Sequence, residues 1–149
     1  MATWAEFEAR AADLAAFGRE RLSVAPAYLG TIRDVGAPRV HPVSPIFGAG
    51  AVFVFMEPTS PKGHDLRARG WYALHNGVPD TVGTGGEFTL SGRGMPVKDP
   101  ELRTAACEAA AYQPEDRYVL FELGVEEARC NGYGDVALPE PKRWTSPPG

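Results

Sequence analysis

Between residues 27 and 57 three β-type runs follow one another through very short turns. They are "AYLGTIRD" (27–34), "PRVHPVSPIF" (38–47) and "AVFVFME" (51–57), joined by "DVGA" (34–37) and "GAG" (48–50). Parallel neighbours need a crossover of a dozen or more residues, which these turns do not contain. The first half of the chain is therefore expected to be antiparallel. Pro42 and Pro45 cannot donate ladder hydrogen bonds, so the second run belongs at a sheet margin or bends there. The apolar run "AVFVFM" reads as a central strand.

Thr3 and Glu6 have the spacing of a capping box. Behind it, Trp4, Phe7, Ala11, Leu14, Gly18 and Leu22 fall on one stripe, which predicts a single amphipathic helix over 4–22, broken by "SVAP" (23–26). Further on, Ser60 suits an N-cap and Pro61 the first helical position, and a two-turn helix over 62–70 ends at Gly70. "WYALHN" (71–76) is a strand, and "GVPDTVGTGG" (77–86) a glycine-rich loop. "EFTLSGRGMPV" (87–97) alternates apolar and polar residues, a strand with one buried face. Gly92 inside it marks close approach of another backbone. Asp99 and Pro100 start a helix over 100–111, and "RYVLFELGVEEARC" (117–130) reads as one long last strand. The predicted fold is mainly β with flanking helices (α+β), six short antiparallel strands forming a small barrel. Residues 1–136 make one domain, and 137–149 a Pro-rich tail with no pattern of its own.

Function classes narrow quickly. A net charge of −4 without a long basic run argues against nucleic acid as a partner. Cys107 and Cys130 form no CxxC, and His41, His64 and His75 are scattered, so no zinc site is expected. Two lone cysteines fit reduced thiols and a cytoplasmic location. The run 51–56 is too short to span a bilayer, and no signal-type apolar run opens the chain. No triad, metal cluster or pair of catalytic carboxylates stands out.

What does stand out is "EPTSPKGHDL" (57–66). A helix N-terminus leaves N–H groups unpaired and carries partial positive charge, so it accepts a phosphate. Thr59 and Ser60 add hydroxyl donors and Lys62 a cation, with Arg39 and Arg67 within reach if the fold brings them near. The same residues also make an ordinary cap beside a solvated lysine, and local pattern alone does not choose.

The order of these pieces resembles the pyridoxamine 5′-phosphate oxidase-like family of flavin-binding split barrels. The likeness rests on "YLGTIRDVGAPRVHPVSPIF" (28–47), "VFVFMEPTSPKGHDLRARGWYALH" (52–75), "EFTLSGRGMPV" (87–97) and "FEL" (121–123), within residues 4–130. It implies a six-stranded split barrel that holds flavin mononucleotide (FMN). Arg39 and Lys62 would meet the phosphate, with Thr59 and Ser60 as hydroxyl donors. The main chain of Val40, His41, Pro42 and Val43 would run along the isoalloxazine ring, with Glu57 and Pro58 at its edge. The resemblance also implies a homodimer with cofactor sites at the interface, approached by Arg143 and Trp144 of the tail. The activity implied is that of an FMN-dependent oxidoreductase acting on a small organic substrate, with no side chain needed as nucleophile. A deazaflavin-dependent reductase, or a protein that binds flavin or haem without turnover, are the alternatives. Only "PKRW" (141–144) stands where pyridoxamine phosphate oxidases proper carry an Arg- and aromatic-rich motif, so the vitamin substrate is not implied.

Overall fold

A computed structural model describes residues 1–24 and 26–149. Its elements are α1 (Trp4–Arg10), α2 (Ala12–Leu22), β1 (Ala27–Ile32), β2 (Pro38–Val43), β3 (Ile46–Gly48), β4 (Ala51–Met56), α3 (Pro61–Ala68), β5 (Trp71–His75), β6 (Glu87–Pro96), α4 (Pro100–Ala109), β7 (Val119–Leu123), β8 (Glu127–Asn131) and β9 (Arg143–Thr145). Every strand pair is antiparallel. A path of seven strands runs β2-β1-β5-β6-β7-β4-β3, with β8 added to β6 and β9 to β8.

The strands therefore number nine rather than six among the described residues. The second expected strand breaks between Val43 and Ile46. There Pro45 supplies no N–H, so the chain leaves β1 and starts a new pairing with β4. The last expected strand breaks at Gly124, after which β8 pairs a different stretch of β6. The tail, expected to have no structure, supplies β9.

β6 explains how the sheet curls. Its first half lies between β5 and β8, and its residues 94–96 pair with β7. At the changeover, a Cβ on Gly92 would stand 2.2 Å from the Gly124 carbonyl oxygen. The close backbone approach expected at Gly92 is found there. The buried Tyr72 hydroxyl donates to that same oxygen at 2.8 Å, and burial pushes its phenol pKa up.

The N-terminal helix is in two pieces. Thr3 and Glu6 form both hydrogen bonds of the capping box, but Ala11 departs from helical geometry (φ −145, ψ 61). All six stripe residues are nonetheless buried. The bend lets Trp4 and Phe7 on α1 and Leu14 and Leu22 on α2 all reach one core over a curved sheet, which a straight rod could not follow. α2 lies so close to β6 that a Cβ on Gly18 would be 2.4 Å from the Phe88 ring. The expected break over 23–26 includes residue 25, which lies outside the described residues.

The core has two parts. The larger packs Phe7, Leu14, Leu29, Phe88 and Phe121 inside the curl. The smaller packs Phe53, Phe55 and Leu120 against Ala106 of α4. β4 stands between them, so all six of its residues are buried, as its unbroken apolar run requires. Among the described residues no helix is long and apolar enough to cross a membrane.

Candidate functional site

β2 ends the seven-strand path, so one of its long edges has no partner strand. In an antiparallel pair, alternate residues turn their backbone groups toward and away from the neighbour. The Arg33 N–H bonds the Ala37 carbonyl at 2.9 Å, which sets that alternation at the hairpin. With Thr31 opposite Arg39 and Leu29 opposite His41, residues 39, 41 and 43 face β1. Pro38, Val40 and Pro42 then face the free edge, which suits prolines because their missing N–H is not wanted by β1. Between residues 38 and 42 that edge offers one donor, the Val40 N–H, among three carbonyl acceptors.

The side chains of Arg39 and His41 turn to the inner side, toward α3. Asp65 on α3 is buried, and its carboxylate gathers three donors. Thr31 Oγ1 donates at 2.7 Å, Arg39 Nε at 2.9 Å and Arg69 Nη2 at 3.2 Å. Burial pushes the Asp65 pKa up, but the Thr31 hydrogen bond, then Arg39, then Arg69 pull harder, leaving it below 3.8. Asp65 therefore stays a carboxylate and fixes Arg39 through Nε alone. Neither terminal nitrogen of Arg39 has a partner among the described residues.

The first turn of α3 completes the group. Ser60 is the N-cap and is buried, yet its side chain makes no cap hydrogen bond. Its oxygen instead accepts from Lys62 Nζ at 3.1 Å. Pro61 has no N–H, so the first turn leaves the Lys62 and Gly63 N–H groups free for an acceptor from outside. Lys62 is half-buried, which lowers its pKa, and no carboxylate lies within ion-pair distance of it among the described residues. His41 Nε2 is buried and has no hydrogen-bond partner among the described residues. Burial lowers the His41 pKa, and Lys62 and then Arg39 lower it further against a smaller opposing effect of Asp65. The arrangement is a shelf of positive charge with unpaired donors, suited to an anion.

Of the expected site residues, Arg39, His41, Ser60 and Lys62 come together here. Val40 is 67% exposed on the opposite face of β2, Pro42 is exposed beside it, and Val43 is buried in the core. Pro58 and Thr59 form the exposed turn that leads to Ser60. Glu57 is held away from the shelf, because Arg117 donates to it through Nε at 3.0 Å and Nη2 at 2.6 Å. Within the chain, the tail residues do not reach the shelf. Arg143 Nε donates to Glu127 at 2.9 Å, and Trp144 packs on Phe7 with ring centroids 5.1 Å apart. Thr31, Asp65 and Arg69, which organise the shelf, are residues that sequence reasoning passed over. "KGHDL" shows the aspartate, but nothing local shows what it holds.

A cleft of about 400 Å³ lies at the start of β1, lined by Glu20 and Arg21 of α2, by Tyr28 and by residues of the 76–86 loop. Tyr28 stands between Pro42 of β2 and His75 of β5, and the cleft lies on the β5 side, away from the shelf. No cluster of His, Cys, Asp or Glu among the described residues is arranged to hold a metal ion.

No family model matches the chain, and no curated protein matches it. Solved structures do. One is a heme binding protein from Mycobacterium smegmatis, 21% identical with a TM-score of 0.66 over 87% of this chain. The chain spans 57% of that protein's length. Another is a NimC/NimA family protein from Clostridium acetobutylicum, 17% identical with a TM-score of 0.61 over 75% of this chain and 82% of that one. A third, provisionally named a pyridoxamine 5′-phosphate oxidase, is from Listeria innocua. It is 10% identical with a TM-score of 0.59, over 74% of this chain and 92% of that one. At these identities the likeness is one of architecture, and the chain has the split-barrel fold that these proteins share.

Proposed function

We propose that the protein binds FMN and works as a flavin-dependent oxidoreductase on a small organic substrate. The observation that carries this reading is the shelf formed by Arg39, His41, Ser60 and Lys62. Two arginines, Arg39 and Arg69, share the single carboxylate of Asp65, Lys62 adds a cation with no carboxylate in ion-pair distance among the described residues, and the cap of α3 is left open. A phosphate monoester fits that donor set. The free edge of β2 supports the rest of the molecule. The Val40 N–H and carbonyl present a donor next to an acceptor, the complement of a cyclic imide such as the pyrimidine edge of a flavin. The bound flavin would supply the hydride chemistry. The chain's own contribution is to hold the phosphate and to read the imide at Val40. A deazaflavin carries the same imide and a phosphate, so it remains the alternative on the same residues. A haem reading rests on the name of the mycobacterial neighbour.

The working unit in this reading is a homodimer. The outer face of β2, β1 and β5 exposes Tyr28, Val40, Pro42, Trp71 and Ala73. A second copy of the chain laid on that face would cover them and close over the free edge of β2.

Absorption spectra of the purified protein with added FMN, deazaflavin or haem separate the three cofactors. Lys62→Ala then tests the phosphate role. It is expected to weaken FMN binding roughly 10- to 100-fold, the worth of one charge-assisted hydrogen bond, and riboflavin binding little. Equal loss for both ligands would refute the assignment.

A further inference from the structure

We propose that the His41 imidazole is the proton-linked ligand of the anion shelf: it takes a proton from solvent as a dianion arrives and donates it to that anion through Nε2. This rests on the anion-site reading above and adds to it a selectivity for doubly charged phosphate monoesters over singly charged acids.

The geometry comes first. His41 stands on the same side of β2 as Arg39, two residues along, with its backbone held by β1 opposite Leu29. Nε2 is buried and bonds to nothing among the described residues, a state that calls for a partner or a cause, and unlike Trp4 Nε1 in the core it lies beside two cations. The charged groups that face the ring are Arg39 from its own strand and Lys62 and Asp65 from α3. Within the chain alone burial, then the two cations, disfavour the imidazolium. A dianion seated between Lys62 and Arg39 reverses the local field and supplies Nε2 with an acceptor, so both obstacles to protonation disappear together. Binding then takes up a proton. Affinity must fall as pH rises above neutrality, by as much as about tenfold per pH unit while uptake is complete. A monoanion reverses the field less and gains less from the added charge.

Sulfate is the cleanest probe, because it has no proton that titrates between pH 6 and 9. The imidazole resonances of the wild-type protein are followed against pH with sulfate and with chloride at matched ionic strength, His41→Asn assigning the His41 signal. The titration midpoint of His41 is expected to rise by at least about two pH units with sulfate bound. Sulfate affinity is expected to drop tenfold or more from pH 6.5 to 8.5 in the wild type and less than twofold in His41→Asn. If sulfate shifts the Lys62 and Gly63 amide signals while the His41 midpoint stays fixed, the proton link is overturned and the anion shelf stands. If those amides do not respond to sulfate, both fall.

Discussion

Asp65→Asn removes the one negative charge that organises the shelf, and its effect follows from the contacts. The Asp65 side chain is 5% exposed, while its partners Arg39 and Arg69 are 26% and 30% exposed. Breaking a buried ion pair by deleting one partner costs about 3–5 kcal/mol. Here both arginines keep access to water, which screens them, and an asparagine oxygen still accepts from Thr31. The expected loss is therefore about 2 kcal/mol at pH 7. For a chain of this size that lowers the Tm by roughly 4–8 °C. The pH dependence adds a sharper test. The folded-state pKa of Asp65 lies below 3.8, so its contribution is whole above that value and is lost as pH falls through the folded value. Urea unfolding followed by tryptophan fluorescence should show a constant gap between wild type and variant from pH 5 to 8. The gap should close in strong acid, well below pH 3.8. A gap under about 0.5 kcal/mol at neutral pH, the scatter of ordinary surface substitutions, would refute the argument. So would a gap that persists undiminished in strong acid.

Two further outcomes follow from the fold. Gly92→Ala should cost about 3 kcal/mol or more, because its Cβ would meet the Gly124 backbone oxygen at 2.2 Å and no rotamer can relieve it. Gly30→Ala, whose Cβ meets nothing nearer than 3.6 Å, is the matched control, and equal thermal shifts in the two variants would contradict the crossing described for β6. Val40→Asp places a charge in the middle of the exposed apolar face and should shift the protein from dimer to monomer in sedimentation equilibrium; a wild type that is already monomeric, or a variant that stays dimeric, would refute the sheet-face dimer.

The pieces legible in the sequence are those governed by neighbours along the chain. The capping box at Thr3, the apolar stripe from Trp4 to Leu22, the margin position of the proline-bearing strand and the close approach at Gly92 are all found where local pattern puts them. The breaks at Ala11 and Gly124 were not legible, because each answers to curvature set by a distant partner. Periodicity reports which face is buried, not whether the axis bends. Trp144 shows the same limit. An aromatic in a Pro-rich tail announces that it covers something, and only the pairing of β9 with β8 shows that what it covers is Phe7 of its own chain.

The shelf sits between these two cases, and the β1–β2 hairpin is the reason. Gly36, at φ +83, makes the turn, and its N–H bonds the Arg33 carbonyl at 2.8 Å, which locks the register of Thr31 with Arg39. In "PRVHPV" the residues that share the inner side are Arg39, His41 and Val43, graded from cation to apolar. Val43 enters the core, His41 stands at its border, and Arg39 reaches Asp65. A slip of one residue would turn Val43 into solvent and carry Arg39 and His41 to the outer face. The hydrophobic effect acting on Val43 therefore holds the two basic side chains against α3, so core packing and the basic shelf are specified by the same alternation. That is why the α3 half of the shelf, visible in "EPTSPKGHDL", meets its β2 half through a six-residue strand that carries no local sign of which side it faces.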